Sequence, residues 1–76
     1  MSQKFYALKR QTENGLLYLS RNGLNELTAN SEEARAFFSE NHVALWKKIN
    51  PSFSDTIMVS MVMEDDKTIR EVNDDE

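Results

Sequence analysis

The chain has 76 residues, no cysteine, one histidine, and nine Lys or Arg against thirteen Asp or Glu, for a net charge of −4. This length allows one small domain with a marginal core. The missing cysteines exclude disulfides and thiolate chemistry, a lone histidine excludes a His-based zinc site, and the charge argues against the basic face that tight nucleic-acid binding needs.

The N-terminal Met1-Ser2-Gln3-Lys4-Phe5-Tyr6 has no apolar stretch of the roughly 7–15 residues that a secretory signal carries, and a cytoplasmic location is expected. From Lys4 to Gln11 the chain alternates. Phe5, Ala7 and Lys9 face one way, Tyr6, Leu8 and Arg10 the other, which predicts a strand. Both glycines follow an asparagine, in Asn14-Gly15 and Asn22-Gly23. Asn-Gly suits the two positive-φ positions of a type I′ turn. With apolar residues between the two pairs, a three-stranded meander is predicted, its later strands at Leu16 to Ser20 and Leu24 to Thr28.

Asn30-Ser31-Glu32-Glu33 reads as a helix start, with Asn30 as cap and Glu33 closing a capping box. Helical text continues to about Ile49, and Pro51 stops it. The apolar stripe Ala34, Phe38, Leu45, Ile49 has a gap at Asn41-His42. Two readings compete. The preferred one is a single segment, with or without a kink. The other is a turn at 32–36 and a helix at 40–49 capped by Ser39, with Phe37 or Phe38 plugging the core.

Thr56 to Met63 is apolar on both faces apart from Ser60, as expected of a strand inside a sheet. Its apolar run is far too short to span a bilayer, so no membrane partner is expected. After Asp65-Asp66-Lys67 the chain either forms a short strand, Thr68 to Val72, or frays. The expected fold class is α+β: a small antiparallel sheet in β-β-β-α-β order with one main helix packed on one sheet face. Residues 1–63 make the single domain, and residues 64–76 an acidic C-terminal segment, in part a short strand and then disordered.

Charge is unevenly placed. Residues 1–38 carry five basic and four acidic side chains; residues 39–76 carry four and nine. Such an acidic end is either a solvated tail or a surface for a basic protein partner. Lys47 and Lys48 complement the helix dipole without needing a partner. Lys9, Arg10 and Arg21 come close together if the first hairpin forms, a thin basis for phosphate contact.

One helix covers one face of a four-stranded sheet. The other face would carry Met58 and Val62 with some of Tyr6, Leu8, Leu16 and Tyr18, and so apolar a face should not stay wet. Either the C-terminal segment or the loop around Phe53 covers it, or it forms a homodimer or partner interface. Methionine and tyrosine suit adaptable binding. Trp46 is either core or an exposed anchor. The candidate partner-binding residues are therefore Tyr6, Tyr18, Trp46, Met58, Val62, Glu64, Asp65 and Asp66.

Signals for chemistry are absent. His42 has no nucleophile beside it in sequence, and no serine lies in a nucleophile-elbow context. Glu64-Asp65-Asp66 and Asp74-Asp75-Glu76 lack calcium-loop spacing, and neither glycine lies in a phosphate-cradling motif. No catalytic residue, metal or cofactor is expected, and the chain reads as a non-enzyme.

The order Lys4-Phe5-Tyr6-Ala7-Leu8-Lys9, then Gly15-Leu16-Leu17-Tyr18-Leu19-Ser20, then Ala34-Arg35-Ala36-Phe37-Phe38-Ser39, then an apolar strand, resembles small accessory proteins encoded by bacteriophages and prophages. The resemblance spans about residues 4–63, leaves out the acidic end and brings no catalytic residues with it. It implies a compact protein of a bacterial host cytoplasm that works by binding, with inhibition of a host enzyme or defence system as the expected role. Three functional readings follow. The first is a protein-binding module that inhibits or modulates a host protein. The second is a self-assembling homodimeric module with no external target. The third is an acidic mimic of DNA.

Overall fold

The computed structural model describes residues 2–23 and 26–72. Among the described residues five strands and one helix follow one another as β1 (Gln3–Thr12), β2 (Gly15–Leu19), β3 (Leu27–Thr28), α1 (Glu40–Ile49), β4 (Ile57–Met63) and β5 (Ile69–Val72). Short 3-10 turns at Ser31–Glu33 and Pro51–Phe53 flank α1. The strands form one antiparallel sheet in the order β3-β2-β1-β4-β5. The class is α+β, with one more strand than the β-β-β-α-β expectation.

Long β1 is the centre. Its first part pairs with β4, from Gln3↔Met63 to Lys9↔Ile57, and its last part with β2, from Lys9↔Tyr18 to Thr12↔Gly15. Side chains alternate across a strand, so these registers sort the apolar residues into two sets. Phe5, Ala7, Tyr18 and Met61 form one cluster, joined by Ala34. Leu8 and Leu19 form the other, with Phe37, Val43 and Phe53. Both sheet faces are therefore covered. The helix and the Phe53 turn close one, and the segment around Ala34 and Ala36 packs on the other.

The chain moves between these faces through an extended stretch, not a helix. Ala34 bridges Ser20, and Phe37 bridges Tyr6 through two backbone hydrogen bonds of 2.7 and 2.8 Å. Residues 34–37 thus fill the edge of β1 that β2 does not reach. Asn30 caps the Ser31–Glu33 turn by accepting from Glu32 N. Glu33 takes a hydrogen bond from the Thr28 hydroxyl at 3.2 Å. The preferred single helix is corrected to the shorter one, which starts where Ser39 Oγ accepts from His42 N at 3.0 Å.

That extended stretch also sets which side of α1 turns inward. Helical phase cannot be carried across residues that advance with period two. The expected stripe therefore fails: Phe38, Leu45 and Ile49 are 75%, 58% and 69% exposed. Val43 is buried in their place, and Trp46 packs beside it between the rings of Phe37 and Phe53, at 5.4 and 5.1 Å.

The two Asn-Gly pairs act differently from the type I′ expectation. Thr12 pairs with Gly15, so Glu13 and Asn14 are the central turn residues, and neither has a positive φ. Gly15 takes the left-handed position one residue later, at φ 101°. Thr12 Oγ1 braces the turn, accepting from Asn14 N and donating to Gly15 O. At the second pair Gly23 has no positive φ, and its carbonyl accepts from Glu26 N at 3.3 Å. The third strand is confined to Leu27–Thr28, while the predicted strand residues Leu24 and Asn25 lie outside the described residues.

After Met63 the chain turns through Lys67, at φ 73°, and β5 returns along β4 from Met63↔Ile69 to Ser60↔Val72. The short-strand alternative for 68–72 is the observed one, and the sheet continues past residue 63. Disorder at the very end was expected for residues 73–76, which lie outside the described residues. Ser31 Oγ donates to the Ile69 carbonyl at 2.9 Å, so β5, one edge of the sheet, meets the turn that follows β3, the other edge. The sheet curls around the Phe5–Tyr18–Met61 cluster. No helix among the described residues is long and apolar enough to cross a membrane.

Candidate interaction surface

The eight residues singled out from sequence do not form one surface. Tyr6 and Met58 are half-buried against the helix-side cluster, and Val62 is buried at 7% exposure. Tyr18 sits on the opposite face, also buried. Of the two alternatives for the apolar sheet face, cover from within the chain is the observed one: the loop around Phe53 joins the cluster of Leu8, Tyr6 and Met58, while Tyr18 belongs to the opposite face, which is covered as well. Leu8, assigned to that face as well, is fully buried under Phe37 and Phe53. Leu16 is exposed on the turn end of β2. Trp46 serves the core side of α1.

The acidic candidates are partly engaged. Glu64 pairs with Arg70 at 2.9 Å, and Asp66 accepts from Thr68 N at 3.0 Å. The Thr68 side chain and backbone hold the Asp66 carboxyl below its ordinary range. Asp65 is exposed. Further along, Glu71 receives the ammonium of Lys9 at 2.8 Å and the hydroxyl of Tyr18 at 3.3 Å. The hydrogen bond to Glu71 raises the pKa of Lys9, and burial raises that of Tyr18.

The basic trio disperses. Lys9 and Arg10 point to opposite faces, and Arg10 binds the loop after α1 through Asp55 at 3.1 Å and the Ser52 carbonyl, its guanidinium over Phe53 at 4.5 Å. Arg21 stands apart from both, beyond β2. His42 stacks edge-on against Phe37 at 5.1 Å and takes the Phe38 amide on Nδ1 at 3.5 Å, so a packed role accounts for it. Among the described residues no group of three or more His, Asp or Glu is gathered to hold a metal.

Among the described residues the outer side of α1 is uncovered, as are the side chains of Leu16 in β2 and Ile57 in β4. Leu45 and Ile49 are one turn apart and both more than half exposed, while Phe38, also exposed, belongs to the extended segment before the cap. The sequence shows this stripe, broken at Asn41-His42, and leaves Trp46 as either core or exposed anchor. The signal that separates the two was present in Ser39-Glu40, since a cap there restarts the helix with Val43 and Trp46 as its other apolar pair.

Beside Phe38 the surface opens into a cavity of about 410 Å³. Phe5, Ala34, Ala36, Met63 and Ile69 give it an apolar wall, and Arg21, Glu32 and Arg35 also line it. No sequence pattern announced this cavity, because its walls come from β1, β4, β5 and the 32–38 segment. Compared with family models, with curated proteins and with solved structures, the chain matches none.

Proposed function

We propose that the protein is a non-enzymatic binding module that docks the outer side of α1 into an apolar groove of a partner protein. The observation carrying this reading is the exposure of Leu45 and Ile49 on a helix whose core side is already supplied by Val43 and Trp46. Helix-in-groove recognition uses anchors spaced by three, four and seven residues, and Leu45 and Ile49, four apart within α1, have that spacing. Each such side chain contributes roughly 1.5–3 kcal/mol when fully buried at a contact. The resemblance of residues 4–63 to phage accessory proteins supports a setting in which the partner is a host protein of the bacterial cytoplasm, such as a defence or nucleic-acid-acting enzyme, and binding inhibits or modulates it.

The test is a tagged pull-down from bacterial lysate with and without nuclease, comparing the natural chain with a Leu45→Glu/Ile49→Glu double variant. A stoichiometric protein that survives nuclease and is lost by the double variant is expected. Both side chains are solvent-exposed, so the variant should keep its circular dichroism spectrum. Retention of the same protein by the double variant, or no partner with the natural chain, overturns the proposal.

A further inference from the structure

We infer that two copies of this chain associate by exchanging Phe38, each ring entering the cavity of the other copy. Phe38 is 75% exposed and is itself one of the residues that line the 410 Å³ cavity, whose other apolar walls are Phe5, Ala34, Ala36, Met63 and Ile69. It has no place in its own helix-side core. Phe37 fills that position at 1% exposure, and in an extended backbone neighbouring side chains point to opposite faces. A large ring is thus held in water beside an apolar hollow whose size falls within the range of ligand-burying pockets, roughly 300–1,000 Å³.

A second copy is the occupant that the surroundings favour. In a two-fold dimer the same patch meets itself, so a protruding group and its receptor must lie side by side on one molecule. Phe38 and the cavity satisfy this. The charges around them satisfy it too. Arg21, Arg35 and Glu32 all line the cavity, Arg21 and Glu32 exposed, so a patch of mixed sign faces an identical patch. Across a two-fold axis Arg21 of each copy can meet Glu32 of the other, whereas a single-signed rim would repel its copy. A standard interface covers roughly 800 Å² per partner, about one-seventh of the 5300 Å² surface of this chain. Leu45 and Ile49 are not part of the cavity, so this association is independent of the α1 docking proposed above.

Sedimentation equilibrium from micromolar to millimolar concentration tests the inference. The natural chain is expected at twice its 8.8 kDa mass, and Phe38→Ala at the single mass with an unchanged circular dichroism spectrum. Arg21→Glu and Glu32→Arg should each weaken the dimer by roughly tenfold or more, and the double exchange should restore it. A natural chain that stays monomeric at millimolar concentration overturns the inference, as does a Phe38→Ala dimer of undiminished affinity. Loss of the dimer in Leu45→Glu/Ile49→Glu with retention in Phe38→Ala would place the contact on α1 instead and overturn it as well.

Discussion

Glu71 adds side-chain links from β5 to β1 and β2, through the Lys9 ammonium and the Tyr18 hydroxyl. Both of these groups bind their protons more tightly in the folded chain than at their ordinary values of 10.5 and 10.0. A raised folded pKa stabilises fully below the unfolded value and is lost as pH climbs through the folded one. Stability should therefore be insensitive to these groups below about pH 10 and fall above it. Glu71→Gln removes the carboxylate that holds Lys9 protonated, so its thermal melts should show a shallower alkaline decline than the natural chain. An equally steep decline in both would remove Lys9–Glu71 as its source. Little of this network was legible in the sequence. Lys9 and Tyr18 become neighbours through the first hairpin, which local pattern predicts. Glu71 joins them only because β5 pairs with β4 in the register Met61↔Glu71.

Among the elements, α1 shows how a local signal can be correct in kind and wrong in extent. Asn30 and Ser39 were both readable as caps, and both are caps. The residues between them were read as helix, since Ala34, Arg35 and Ala36 favour it. Their backbone groups instead complete the open edges of β1 and β2, where unpaired N–H and C=O groups would otherwise be left. Pairing to a strand distant in sequence is invisible to local propensity. A Ser39→Ala change removes the acceptor of His42 N and should cost about 1 kcal/mol, read as a shift in urea midpoint with unchanged slope. No shift would mean that the Phe37 bridge, and not the cap, sets the helix start. The hairpin makes the same point at a turn: Gly15 supplies the left-handed residue, but one position later than a type I′ turn requires.

At the scale of the whole molecule, Phe37 joins the parts. Its backbone pairs with Tyr6 in β1, its ring meets His42 and Trp46 of α1, and its side chain is 1% exposed beside Leu8 and Phe53. Truncating such a residue leaves a cavity that neighbours fill incompletely. Phe37→Ala should cost about 3–5 kcal/mol. A chain of this length has a total stability of roughly 4–11 kcal/mol, so the variant should be largely or wholly unfolded at moderate urea concentrations. A urea midpoint close to that of the natural chain would show that the sheet holds without the helix. Met58 and Val62 lie in the same covered regions, which is why they are core residues and not the dimer contacts their strand pattern suggested.

Composition and pattern alone determined that this is a small α+β protein. Alternation marked β1, the apolar residues between the two Asn-Gly pairs marked β2, a run apolar on both faces marked β4, asparagine and serine marked the helix starts, and proline marked the helix end. These are effects of neighbours a few residues apart, and they survive without knowledge of the fold. Tertiary structure alone decided which apolar residues are spare. Both sheet faces are closed by residues 34–37 and 51–53, which rotates α1 so that Phe38, Leu45 and Ile49 stay outside, and the curl of the sheet opens a cavity beside Phe38. Burial is a property of the complete packing, because a side chain is covered only when groups distant in sequence arrive over it.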